Sequence, residues 1–163
     1  KSPITINLII SNNSKAKGLN YSNQFKIPKK IINYKIKNID EKKILLILKK
    51  SKINFICLAG FMKILSKNFI KKFKYKIVNI HPSLLPKFKG LKTHERVIKN
   101  KEKFSGCTVH YVNNKLDAGK IILQSRVRIS AKDNSFTLAN KILKKEHKLY
   151  SAAILKIFNW FSL

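Results

Sequence analysis

Three features of the 163-residue sequence predict an α/β domain built on a largely parallel sheet: short apolar runs rich in β-branched residues, longer helical stretches between them, and no internal repeat or linker. The expected strands are residues 5–10, 31–36, 53–58, 76–80, 108–112 and 121–129. The length fits one domain spanning residues 1–163. With 44% hydrophobic residues, 10% aromatics, 5 Gly and 4 Pro, the chain can close a core and is not a disordered polybasic tail.

The helices follow from capping and periodicity. Asp40 suits the N-cap of a helix running through the apolar cluster 44–48 to about Lys52, although that cluster alone also fits a strand. Residues 61–73 read as a helix with Lys on its outer side. After Ser135 the pattern is clearest, because Ala139, Ile142, Leu143, Glu146, Tyr150, Ala153, Ile154, Ile157, Phe158 and Phe161 recur three or four apart and form one inward stripe. Glu146 interrupts that stripe, and an unpaired carboxylate is costly to bury. A buried pair with a Lys would satisfy it.

The formal charge is +29, from 36 Lys and Arg against 7 Asp and Glu. Such a charge points first to nucleic acid or an anionic membrane. Its composition argues otherwise: 33 of the cations are Lys and 3 are Arg (Arg96, Arg126, Arg128), whereas base and phosphate recognition favours the bidentate guanidinium. The Lys are also spread along nearly the whole chain, beside 24 Ile and 16 Asn, three residue types with A/T-rich codons. Most of the charge therefore reads as compositional drift over tolerant surface. Cys57 and Cys107 lie in apolar runs without metal-ligand spacing, as buried free thiols in a reducing cytoplasm would. No apolar run approaches the roughly eighteen residues of a membrane span, and no secretory signal is visible.

Chemistry concentrates in two stretches. Asn79-Ile80-His81-Pro82-Ser83-Leu84-Leu85-Pro86 directly follows a strand, at the sheet edge where open α/β folds place ligands. Asn79 and His81 are two apart, so an extended chain puts an amide donor beside an imidazole on one face, a pair suited to an oxyanion. A lone His is also compatible with a purely structural role. Leu116-Asp117-Ala118-Gly119-Lys120 sets a carboxylate on a turn before the next strand, either as a turn former or to orient an imidazole. His110 lies on the strand between them, as a packed polar residue facing away from Val109 and Tyr111.

In order and separation, the segments Ala59-Gly60-Phe61-Met62-Lys63-Ile64-Leu65-Ser66, Asn79 to Gly90, Gly106-Cys107-Thr108-Val109-His110-Tyr111-Val112 and Leu116 to Gln124 resemble the phosphoribosylglycinamide formyltransferase family. The resemblance runs from about Ile6 to Ala153. It implies a Rossmann-like formyltransferase fold and transfer of a formyl group from 10-formyltetrahydrofolate to glycinamide ribonucleotide in purine (IMP) synthesis, in the cytoplasm, without a metal. By the same resemblance His81 is the general acid, Asn79 donates to the oxyanion, and Asp117 keeps His81 charged and relays a proton through water. Met62, Lys63, Ile64, Leu65, Asn79, Val112, Leu116 and Asp117 border the folate, the loop from Val112 to Asp117 enclosing its pterin. Met62, Pro82 and Glu146 face the ribonucleotide, Glu146 at its ribose. The state expected is a monomer or homodimer.

Two departures from the family pattern matter. Lys63 stands where many bacterial members have Arg, which turns a bidentate carboxylate grip into a single-point one. The family pattern also starts with a strand and a Gly-Ser-Asn loop that holds the substrate phosphate, whereas residues 5–12 correspond to its second strand and the chain starts at Lys1. The resemblance therefore implies weak or no turnover by these 163 residues alone. Other readings are a formyltetrahydrofolate deformylase, a methionyl-tRNA formyltransferase, an inactive fragment, or a basic nucleic-acid-binding module, the last without Arg clusters or a recognition motif to support it.

Overall fold

The computed structural model describes residues 4–158. Its elements are β1 (Ile9–Ser11), a 3-10 turn (Lys17–Leu19), α1 (Asn20–Gln24), β2 (Lys29–Ile31), α2 (Lys37–Lys50), β3 (Phe55–Leu58), α3 (Lys67–Lys72), β4 (Lys76–His81), α4 (Thr93–Lys99), β5 (Phe104–Tyr111), β6 (Ile121–Arg128) and α5 (Ser135–Ile157). They divide into two compact units: residues up to Phe55 with Leu65–Tyr75, and Ile56–Ile64 with the chain from Lys76 onward.

In the first unit β1 and β2 pair in parallel, from Ile9 opposite Lys29 to Ser11 opposite Ile31. The second strand stops earlier than the apolar run 31–36 predicts. Tyr34 takes a left-handed conformation (φ 53°), incompatible with a continuing ladder, and turns its ring into the core. There its hydroxyl donates to buried Glu41 of α2 at 2.6 Å. Helix α2 starts just before Asp40 rather than at it; from the first turn the Asp40 carboxylate reaches back to accept from the Ile36 backbone N–H (2.9 Å). The helix expected over 61–73 shortens to α3. Gly60 is left-handed (φ 62°), and Ser66, whose N–H and hydroxyl both donate to Glu41, caps α3 by accepting from Phe69 N (2.9 Å). Residues 61–65 are thereby loop rather than helix.

The second unit carries the four-stranded sheet β3-β4-β5-β6. The α/β class is as the periodicity predicts, but β5 runs antiparallel to both β4 and β6. Between β5 and β6 the link from Val112 to Lys120 is too short for the crossover that parallel neighbours require. Cys107, Val97, Leu138 and Ile142 form the core cluster, with Ile80, Phe88, Val127 and Leu149 packed on it. Burying each such apolar side chain contributes on the order of 1.5–3 kcal/mol. Cys57, in contrast, is exposed, because the alternation along β3 turns it opposite to Ile56 and Leu58.

Helix α5 starts at a capping box in which Asn134 Oδ1 accepts from Phe136 and Thr137 N–H, while the Thr137 hydroxyl accepts from Asn134 N–H. Leu138, Ile142 and Ala153 are its buried residues. Leu138 is missing from the predicted stripe, and Leu143 and Phe158 turn outward; Leu143 sits about 100° around the helix from Ile142. Phe161 lies outside the described residues. The Tyr150 hydroxyl straddles two strands, 2.8 Å from Leu58 O and 3.2 Å from Val78 O. Among the described residues no helix is long and apolar enough to cross a membrane.

Candidate active site

Antiparallel pairing of β4 with β5 places Asn79 opposite His110 and His81 opposite Thr108. Directly opposed residues share a sheet face, and period-2 alternation keeps 79 with 81 and 108 with 110. One face therefore gathers an amide and two imidazoles. His81 is inside the end of β4 rather than beyond it, and it is buried.

Asp117 arrives from the loop after β5, itself left-handed (φ 44°). Its Oδ2 lies 3.3 Å from His81 Nδ1 and accepts the Gly90 backbone N–H at 2.9 Å. The other nitrogen of His81, Nε2, is 2.9 Å from the Phe88 carbonyl. A carbonyl only accepts, so Nε2 carries a hydrogen and Nδ1 is left to exchange a proton with Asp117 or a reacting group.

His110 has a different task. Burial holds its pKa below the ordinary imidazole value, although the Tyr111 carbonyl and Asp117 oppose the shift. The neutral ring donates from Nδ1 to Tyr111 O (2.9 Å) and accepts at Nε2 from Asn79 Nδ2 (3.4 Å). Its 3.7 Å approach to Asp117 Oδ1 is therefore not a charge pair. His110 orients Asn79, and the second amide hydrogen of Asn79 has no partner among the described residues. His94 comes near as well: burial first, and His81 second, lower its pKa, and its Nδ1 is buried without a partner among the described residues. The sequence signal for His110 was its place in the β5 motif; nothing marked His94. A site with an imidazole N–H, an amide N–H and a carboxylate can hold an oxyanion and move one proton.

Comparison with known proteins fixes the lineage. The formyl transferase family model matches residues 1–154. The chain belongs to the formyl transferase family. It is 37% identical over 163 residues to phosphoribosylglycinamide formyltransferase of Haemophilus influenzae, covering 98% of this chain and 75% of that one. To the trifunctional purine biosynthetic protein adenosine-3 of Homo sapiens it is 43% identical over 152 residues, which cover 91% of this chain but 15% of the human protein. The crystal structure of phosphoribosylglycinamide formyltransferase from Anaplasma phagocytophilum superposes with a TM-score of 0.88 at 42% identity, over 94% of this chain and 74% of that one. That of the Bacillus halodurans enzyme gives 0.90 at 36%, over 95% and 81%.

In this formyl transferase Asn79, His81 and Asp117 come together: Asn79 bonds His110 Nε2, and Asp117 Oδ2 lies 3.3 Å from His81 Nδ1. Leu116 is largely exposed and lies against Gly90, whose added Cβ would meet Leu116 Cδ2 at 3.5 Å. Val112 and Pro82 are half-buried, and the Val112 N–H donates to Ile77 O (2.9 Å). Met62, Lys63 and Ile64 project from the 60–66 loop into solvent, whereas Leu65 is buried in the first unit. No hydrogen bond or ion pair among the described residues ties Met62, Lys63, Ile64 or Glu146 to the cluster. No group of three or more His, Cys, Asp and Glu there is placed to hold a metal ion.

Glu146 is half-buried on α5, and no Lys pairs with it among the described residues. Burial pushes its carboxyl above the ordinary value of 4.5, with His147 opposing. A raised folded pKa means the native state binds the proton more tightly, so stability is greatest below the unfolded pKa and is lost as pH rises through the folded one. Glu146→Gln is therefore expected to raise the melting temperature at pH 7, with the gain shrinking as pH falls toward 4.5. Thermal unfolding at both pH values checks this; a gain that grows on acidification would contradict it.

Proposed function

We propose that the protein transfers the formyl group of 10-formyltetrahydrofolate to the primary amine of glycinamide ribonucleotide, as a cytoplasmic enzyme of purine synthesis. The observation that carries this reading is the Asp117 carboxylate shared by His81 Nδ1 and the Gly90 N–H, next to an Asn79 amide held by His110. The amine attacks the formyl carbon, a C–N bond forms, and the carbonyl oxygen takes up the electron pair. Asn79 and the His81 Nδ1–H stabilise that oxyanion, which is usually the largest contribution in acyl transfer. The bond from carbon to the folate nitrogen then breaks, and the proton lost by the amine reaches the departing nitrogen by way of His81 and Asp117.

Met62, Lys63, Ile64, Leu65, Val112 and Leu116 are the proposed folate contacts, and Met62, Pro82 and Glu146 those of the ribonucleotide. Both ligands are anionic. A chain of formal charge +29 favours their capture at low ionic strength. The test supplies full-length protein with the formyl donor and, separately, the ribonucleotide, initiator methionyl-tRNA, or water alone. Turnover only with the ribonucleotide is expected. Formylation of the tRNA, or release of formate without an acceptor, would replace this assignment by another activity of the family.

A further inference from the structure

Thr108 and Gln124 lie one and two strands away from His81. Register places His81 opposite Thr108 on β5, and Thr108 opposite Gln124 on β6, so the three side chains stand in a row on one face. Thr108 is fully buried. Its hydroxyl donates to Ser83 O (2.6 Å) and accepts from Leu85 N (3.1 Å) and Gln124 Nε2 (2.8 Å), which uses its full hydrogen-bonding capacity. Gln124 Nε2 also donates to Leu85 O (2.9 Å), and Ser83 Oγ to Lys87 O (2.6 Å).

These bonds anchor the loop after His81 at residues 83, 85 and 87. The next residue, Phe88, is left-handed (φ 56°), and its carbonyl is the one that holds His81 Nε2 at 2.9 Å. A backbone held this tightly in a sparsely populated conformation needs surrounding structure to determine it.

We infer that Thr108, supported by Gln124, is the positioning residue that locks the His81 tautomer: by clamping the loop it fixes Phe88 O on Nε2 and leaves Nδ1 as the nitrogen presented to the reacting group. The use of that nitrogen in formyl transfer rests on the function proposed above; the tautomer itself does not.

The experiment compares Thr108→Val, which keeps the shape and removes the hydroxyl, with Gln124→Leu and with the conservative Thr108→Ser. Nitrogen NMR of the ligand-free protein, at a pH where His81 is neutral, reads which nitrogen carries the hydrogen. The parent protein and Thr108→Ser are expected to show hydrogen on Nε2, and Thr108→Val and Gln124→Leu a mixture of both tautomers. In parallel kcat should fall about 10- to 100-fold in those two variants, the scale of a displaced proton-transfer group, with KM within about twofold, and Thr108→Ser should restore it. Gln124→Leu, at a more exposed position, decides the matter if Thr108→Val fails to fold. A pure Nε2 tautomer in every folded variant, with only the melting temperature lowered, overturns the inference. Absence of turnover in the full-length parent protein would instead overturn the proposed function, since the tautomer is read without substrate.

Discussion

His81→Ala is expected to lower the proposed formyl transfer to glycinamide ribonucleotide by about 10²- to 10⁴-fold, the usual worth of a positioned general acid. The His81 imidazole bridges the Asp117 carboxylate and a fixed backbone carbonyl, so its loss removes one oxyanion donor and the proton path. Folate affinity should change little, because Met62, Lys63, Ile64 and Leu116, the proposed folate contacts, do not depend on it. Steady-state rates and a fluorescence titration with a folate analogue separate the two effects. Asp117→Asn is expected to act in the same direction through charge: an amide oxygen in the place of Oδ2 can still face His81 Nδ1 and the Gly90 N–H, but it neither stabilises an imidazolium nor takes up a proton. Retention of most activity in His81→Ala would remove it from the mechanism.

Gly119→Ala carries the second large effect. A Cβ built on Gly119 would lie 1.6 Å from Tyr111 O and 2.6 Å from Tyr111 C, a backbone contact that no side-chain rotation relieves. The turn must move, and Asp117, two residues earlier and already left-handed, moves with it. We expect a loss of at least about 3 kcal/mol of stability, in the range of severe steric replacements. Activity should fall by about 10²-fold or more, as for a catalytic group displaced by about an ångström. Gly60→Ala provides the contrast: nothing lies within 4 Å of its Cβ, and only the positive φ of 62° opposes the change, at about 1 kcal/mol. Chemical denaturation of the two variants measures the difference. Equal stability would show that the Gly119 turn yields without cost.

Much of this is legible in the sequence. Period-2 spacing put Asn79 and His81 on one face, and a carboxylate on a turn beside a glycine marked Asp117. The amphipathic stretch after Ser135 predicts α5, whose buried Ile142 and Ala153 follow the pattern, while Leu138 escapes it and the Asn134 capping box was not anticipated. Other elements hid for definite reasons. Ile31 to Ile36 has strand composition, but the left-handed Tyr34 and its long-range bond to Glu41 override local preference. Residues 61–65 look helical until Glu41 claims both Ser66 donors and sets the start of α3. Helix α4 is only one residue short of eight and carries no long periodic stripe to reveal it.

What the sequence determined alone is the chemistry: which residue types stand at which spacing, the family they belong to, and a charge carried by Lys dispersed along the chain. Tertiary structure decided the pairings. Only the antiparallel register brings Thr108 beside His81 and His110 beside Asn79, and only the packed loop turns the Phe88 carbonyl onto Nε2. The physical reason is range: periodicity encodes which face a side chain takes within its own strand, whereas the partner across the sheet depends on loop closure and burial summed over the whole unit.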